Sequence, residues 1–387
     1  MTKNKLRIAI VGAGLGGPAA AALLQAAGYQ VTIYEQSASF SRIGAGINLS
    51  PNVTRILKRI GVCDRLAQTG VRTAHWVSRV WDTGELLLDY PMGEALEQRY
   101  GAPYLCVHRG DFHALLLDAV APGTIQFGKR LQELEQNGNV VKLVFADGSH
   151  ALADLVIGAD GVRSRCRELL VGLAAPKFSG NVAYRALFPT SLVAGMDLVD
   201  YEKWWGPNQW VFLTYFIRQK RDDYFIVSVA PQAEWPHDTS WVPSSREEMR
   251  AAFTGFHPKV HQQIDVIPSV TKWAVYDAEP LEVWSRGRIA LLGDACHSMT
   301  PYMGQGAAMA IEDGAMLTRC LDASKGDVDY ALQLYEANRK DRTVAMQRTS
   351  RANTWLKSDA DPDWVFGYNV FEHELVPPAR ARSAAGS

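Results

Sequence analysis

Three short stretches of this 387-residue chain place residue types at spacings that can do chemistry. The first is the glycine cluster Gly12-Ala13-Gly14-Leu15-Gly16-Gly17, with a carboxylate, Glu35, near the spacing of about 20 residues that suits a dinucleotide. Gly12 permits a tight turn, Gly14 lets backbone approach a pyrophosphate, and Gly17 lets helix and strand pack closely. The start of the helix offers N–H groups and a positive dipole end to phosphates. Glu35 would accept hydrogen bonds from ribose hydroxyls and repel a 2′-phosphate. The second stretch, Gly158-Ala159-Asp160-Gly161-Val162-Arg163-Ser164, reads as a tight strand-to-helix turn with Asp160 as its Asx residue, leading into a capped helix. The third runs from Gly293-Asp294 through His297 to Gly304-Gln305-Gly306-Ala307. Asp294, at a strand end, can accept hydrogen bonds from a polyol chain. A helix starting at Gly304–Gly306 can approach a planar ring or phosphate without side-chain obstruction. His297, beneath a glycine turn, is read as structural.

Positioning these groups requires a particular set of elements. Leu6–Val11 is an apolar run of strand length, of the kind buried on both faces in parallel sheets. Pro18–Ala27 is helical in composition, Gly28 ends it, and Gln30–Tyr34 is a second strand that delivers Glu35. The uncharged run Ile8–Tyr34, preceded by Lys3, Lys5 and Arg7, imitates a membrane anchor or signal segment. Its glycines and Pro18 would break a spanning helix early, so it reads as a buried βαβ unit. Ser50 and Pro51 look like the cap and first residue of a helix carrying Val53, Ile56, Leu57 and Ile60 on one face. From about Phe178 to Tyr276 the chain is β-rich and holds Trp204, Trp205, Trp210, Trp235, Trp241 and Trp273. Strand character returns at Ile289–Leu292, followed by helices over about 304–321 and 330–355. The fold class is therefore α/β: a Rossmann-like nucleotide domain (1–177 and 277–325) interrupted by a β-rich substrate domain (178–276). A C-terminal helical segment (326–375) follows, with a disordered tail (376–387).

Composition removes several classes of function. Forty Lys and Arg against 41 Asp and Glu leave a net charge of −1, which gives no electrostatic footprint for nucleic acid or an anionic membrane. Plentiful aromatics and the lack of long heptads argue against disorder and coiled coil. Cys63, Cys106, Cys166, Cys296 and Cys320 are odd in number and never form a CxxC pair, as in a cytoplasmic protein using cysteine for packing.

The three motifs in this order resemble those of the class A flavoprotein aromatic hydroxylases, a family that includes p-hydroxybenzoate and salicylate hydroxylases. The resemblance covers Arg7 to about Trp364. It is closest to the 6-hydroxynicotinate 3-monooxygenase type, through RIGAGINLSPNV (Arg42–Val53), HRGDFHAL (His108–Leu115), WSRGRIALLGDACHSMTP (Trp284–Pro301) and LYEANRKDR (Leu334–Arg342). It implies bound FAD, NADH or NADPH as transient reductant, O2, and a small hydroxylated aromatic or N-heteroaromatic acid as substrate, in a monomer or homodimer. Decarboxylation follows if oxygen enters at the carbon bearing the carboxylate. Carried over by motif, Gly12, Gly14, Leu15, Gly17, Glu35 and Gln36 would hold the pyrophosphate and adenosine ribose. Arg42 and Arg109 would reach the phosphates or ribityl chain, Leu131 the adenine, Asp294 the ribityl chain, and Gly304 and Ala307 the isoalloxazine. Asn48 and Tyr302 would serve both catalysis and substrate binding, Thr214 and Tyr215 catalysis, and Trp210 and Phe212 substrate binding. Two positions depart from that type: GAGIN stands where it has GAGIH, and PYMGQG where it has PHMAQG. No second glycine-rich βαβ motif marks a separate nicotinamide domain. Two alternatives stay open on the sequence: a flavin-dependent oxidase or reductase of the same fold, and a non-catalytic flavin-binding redox sensor.

Overall fold

The computed structural model describes residues 6–40, 45–172, 176–218, 223–358 and 361–378. The uncharged run folds as the βαβ unit its pattern requires: strand Arg7–Val11, helix Gly16–Ala26, strand Gln30–Tyr34. Both strands are parallel, and Ile8 and Ile10 are buried because helices and strands cover both faces of the sheet. Leu155–Gly158 pairs on the other side of the first strand and Ile289–Leu291 beyond it, so a segment from late in the chain completes the nucleotide sheet. Helix Gly306–Ala323 crosses helix Gly16–Ala26 closely at Gly314, where a Cβ would lie 2.9 Å from Ala20.

An eight-stranded sheet forms the second layer. Its inserted strands, Lys177–Phe188, Tyr201–Trp205, Val211–Ile217, Asp223–Pro231, Trp241–Ser244 and Val270–Asp277, fall where the β-rich composition predicts. The expected boundary needs correction, however. His75–Val80 and Leu86–Pro91, assigned from sequence to the nucleotide domain, join this sheet, His75–Val80 pairing in parallel with Tyr201–Trp205. Parallel pairing across so long a separation leaves no local trace in the sequence.

One face of this sheet is closed by helices Arg246–Ala252 and Pro258–Asp265, through Tyr184, Phe212, Ile226, Met249, Phe253 and Val260. The other turns toward the nucleotide layer, and Tyr201, Tyr215 and Phe225 enter the main core. The long helix Val328–Ala352 belongs to that core as well, contributing Leu332, Tyr335 and Met346, so the C-terminal segment is not a separate unit. Val376, expected in a disordered tail, is held by the Asn338 side chain at both its N–H and its C=O, each at 2.8 Å. Residues 379–387 lie outside the described residues. All five cysteines are buried and unbridged. Among the described residues no helix is long and apolar enough to cross a membrane.

Candidate active site

Two adjoining cavities run along the carboxyl ends of the nucleotide strands, where ligands bind in doubly wound folds. Gly14, Ala159 and Gly161 line both, so the start of the first helix stands at their junction. The first cavity, about 630 Å³, is lined by Gly12, Glu35, Gln36, Leu131, Asp160 and Arg163 among others. Gly12 has φ +103, and a Cβ there would lie 2.5 Å from the Ala159 carbonyl, so no other residue makes this turn without strain. A Cβ on Gly17 would collide with the Gly12 carbonyl, whereas one on Gly14 would meet nothing within 4 Å. That open space above Gly14 is a cradle for a ligand. The Glu35 carboxylate accepts from the Ala13 N–H at 2.8 Å and the Ser37 N–H at 2.9 Å, which locks it beside the turn. Asp160 holds the turn, accepting from Ser164 Oγ and the Cys166 N–H, and Ser164 caps the next helix by accepting from the Arg167 N–H. His113, missed in the sequence, packs under the turn with Nε2 2.7 Å from the Ala13 carbonyl. Burial pushes its pKa down, so a neutral imidazole donates there.

The second cavity, about 420 Å³, lies between the nucleotide layer and the free face of the large sheet. Leu15, Arg109, Asp294, Gly304 and Ala307 line its nucleotide side. Burial raises the Asp294 carboxyl, against the pull of His297, Arg109 and Arg167; burial lowers Arg109, and Asp294 opposes that. The strand end that presents Asp294 is pinned from behind: Asp313 accepts from the Gly293 N–H at 3.0 Å and lies 2.5 Å from His297 Nε2. Arg339, fully buried, spans Asp313 and Glu312 at 2.7 Å each. Gln305 donates to Ser50 Oγ, and Asn52 donates to Gln305 and Glu312, which ties the helix start to Pro51–Arg59.

The substrate side is where sequence and structure differ most. Asn48 lies in a strand, Gly46–Leu49. Its amide donates to the hydroxyls of Tyr104 at 2.6 Å and Tyr201 at 3.3 Å. Its Oδ1 stands 2.5 Å from where a Cβ on Gly304 would be. Tyr215 lines the cavity and stacks on Tyr201 with centroids 5.3 Å apart. Trp210, Phe212 and Thr214 do not reach it. They belong to the opposite face of the strand, where Phe212 meets Phe253 edge-on and Trp210 packs against Phe256. Alternation gives two faces but not which is which; the two covering helices decide that. Tyr302 is buried among Ala183, Val211, Val229 and Val275, and its hydroxyl has no hydrogen-bond partner among the described residues. Its neighbours Pro301 and Gly304 line the cavity while its own side chain forms the wall behind. Arg42 lies outside the described residues.

Arg185 was missed. It lines the cavity from the strand Lys177–Phe188, its guanidinium 4.5 Å above the Trp273 ring and its Nε without a partner among the described residues. Burial lowers its pKa to about 10. A charge inside VAYRALF, an otherwise apolar strand, was the signal that could have found it.

The arrangement fits a dinucleotide with a planar end: an open glycine turn at the centre, Glu35 in one cavity, Asp294 and the Gly304–Ala307 helix start in the other. Comparisons with known proteins agree. Residues 5–350 match the family described as FAD binding domain. The 6-hydroxynicotinate 3-monooxygenase of Pseudomonas fluorescens is 51% identical over 382 residues, 98% of this chain and 99% of that protein. Among solved structures, a salicylate hydroxylase substrate complex is similar with TM-score 0.84 and 27% identity, covering 98% of this chain and 100% of that one. HpxO of Klebsiella pneumoniae, complexed with FAD and uric acid, is similar with TM-score 0.80 and 26% identity over 94% of this chain and 91% of its own. The chain belongs to the class A FAD-dependent aromatic hydroxylases.

Proposed function

We propose that this monooxygenase acts on a hydroxylated aromatic or N-heteroaromatic carboxylic acid, 6-hydroxynicotinate and hydroxybenzoates leading that class. Arg185 carries the reading. It is a half-buried cation whose buried Nε has no partner among the described residues and which has no carboxylate partner among them, on the sheet side of a cavity whose opposite side carries Arg109 and Asp294. An unpaired buried charge is costly until a ligand completes it, and a guanidinium matches a planar carboxylate. Leu213, Phe225 and Val227 offer apolar surface to the ring, and Asn48, Tyr201 and Tyr215 offer polar contacts to its hydroxyl.

FAD, when bound, stores the reductant's electrons and activates oxygen. Gly12, Gly14, Leu15, Gly17, Glu35 and Gln36 would hold its nucleotide half with Leu131, while Arg109, Asp294, Gly304 and Ala307 would hold the other. The chain's own tasks are to orient the ring, hold its hydroxyl and exclude water. NADH or NADPH is the reductant in this reading. Oxygen entering at the carboxylate-bearing carbon displaces CO2; entry elsewhere leaves the acid intact. The test is reductant oxidation with NADH and with NADPH across hydroxybenzoates and hydroxypyridine carboxylates, followed by product mass spectrometry. A product heavier by one oxygen, with or without loss of CO2, is expected. No stimulation by any acid in the panel would refute the substrate class.

A further inference from the structure

Lys203 is the one lysine on the cavity-facing side of the Tyr201–Trp205 strand, and it is 1% exposed. No carboxylate pairs with it among the described residues. Its neighbour Glu202 points to the other face, where it binds Arg79 at 2.6 Å and the Trp204 indole at 3.1 Å. Lys203 Nζ instead donates to the Tyr302 carbonyl and to Asn353 Oδ1, both at 3.1 Å, and lies 3.6 Å above the Trp205 ring. Three elements meet at this ammonium. The sheet strand carries Tyr201 two residues earlier and pairs Lys203 with Leu213, and both Tyr201 and Leu213 line the cavity. The turn Pro301–Met303 leads into Gly304, and Thr300, Pro301 and Gly304 line the cavity from the other side. The third element is the end of helix Val328–Ala352, where Asn353 turns left-handed and Ser350 Oγ donates to the Thr300 carbonyl at 2.6 Å. Lys203 thus joins the sheet wall of the cavity to its turn wall. Burying an ammonium without a counter-ion is expensive, and a methionine of similar length would fill the space at lower cost.

We propose that Lys203 is a positioning residue that locks the turn at 299–304 onto the substrate sheet, keeps water out of the cavity and so sets how much reductant reaches product. This rests on the monooxygenase reading. In coupled turnover RH + O2 + NADH + H+ gives ROH + H2O + NAD+. When water enters early, O2 + NADH + H+ gives H2O2 + NAD+, with the same two electrons and no bond made to substrate.

A second property follows from the lysine's surroundings. Burial pulls its pKa well below the usual lysine value, and Lys357, 5.8 Å from the same indole, lowers it further. Facing it from the turn is Tyr302, kept protonated by burial, and near that phenol lies Asp277, already bound to Arg351 at 2.6 Å. The lock therefore holds below the lysine's depressed pKa and weakens as pH rises through it.

The experiment uses FAD-loaded protein. Lys203→Met should raise hydrogen exchange at the amides of 299–306, with FAD still bound. It should also raise the peroxide formed per NADH by about three- to tenfold, the scale of one ordinary hydrogen bond net of its exchange with water. Asn353→Asp gives the ammonium a carboxylate, so the pH at which coupling is half lost should move upward. Wild-type exchange and coupling in folded Lys203→Met would overturn the proposal. If that variant does not fold, an unmoved pH profile in Asn353→Asp would overturn it instead. Failure of the substrate reading looks different: no acid yields product with wild-type enzyme, while hydrogen exchange still reports on the lock.

Discussion

Replacing Arg185 with methionine should separate stability from activity, because the two depend on it with opposite sign. In the free protein this half-buried side chain has, among the described residues, no carboxylate partner and no partner for its buried Nε. Removing it relieves a desolvation cost, so the melting temperature should hold or rise. With substrate present the same change deletes charge-assisted hydrogen bonds to a carboxylate, worth about 1.5–3 kcal/mol, or roughly 12- to 150-fold in kcat/KM. The decisive comparison is a double-mutant cycle against the ligand: a hydroxylated aromatic acid and its analogue lacking the carboxylate, each with wild type and variant. The penalty should appear with the acid and largely vanish with the analogue. Equal losses for both ligands, or a variant that melts several degrees lower, would show that Arg185 packs the sheet and does not read a carboxylate.

The purified protein should be yellow and release FAD, and Asp294→Ala should weaken FAD retention by about 1–3 kcal/mol, measured by flavin titration; unchanged affinity would remove Asp294 from the polyol contact. Asn48→Ala and Tyr201→Phe should each lower product formed per reductant while FAD stays bound, by roughly five- to 150-fold in kcat/KM if the lost hydrogen bond is buried. Wild-type coupling in both would place that network outside the chemistry. Acid unfolding should begin at Asp313 and Glu312: burial opposes their ionisation, but His297 and Arg339 hold Asp313 at about 2, and Arg342 and Arg339 hold Glu312 below its usual value. Folded-state pKa values below the unfolded ones give stability that is complete above about pH 4.5 and lost as pH falls toward 2. Asp313→Asn should flatten that acid limb in a denaturation series across pH, and an unchanged limb would assign it to other groups.

The nucleotide half was legible in the sequence because its requirements are local. A tight turn fixes Gly12, close packing fixes Gly17, and a strand end fixes Glu35 and Asp294, all within a few residues of their own strand or helix. The cavity's other wall was not legible for the opposite reason. Phe212 and Leu213 are adjacent and apolar, and which of them faces the cavity depends on helices Arg246–Ala252 and Pro258–Asp265 closing one face. The parallel pairing of His75–Val80 with Tyr201–Trp205 is equally non-local, and it moved two strands from one expected domain to the other. Arg185 and Lys203 were readable in kind but not in role. Each is a charge in an apolar strand, and only the fold shows that one faces the cavity and the other binds its two walls together.

The protonation states around the cavity constrain the chemistry further. No histidine is among its lining residues, and the GAGIN departure puts a neutral amide, Asn48, beside the phenols. Burial raises Tyr201, Tyr215 and Tyr104 well above the usual phenol range, so all three keep their protons at neutral pH. A protonated phenol can donate to a substrate oxygen but cannot accept its proton by ionising. Arg185 is a cation below about pH 10 and has no proton to take up. In the proposed reading this wall would stabilise a ring oxygen that is already anionic more readily than it would create one, and an arginine nearby favours that charge. The ring's own acidity then does work that a histidine would otherwise share. On the proposed substrate class, this polar map would favour acids whose hydroxyl ionises easily, a preference set by electrostatics as much as by the shape of the ring.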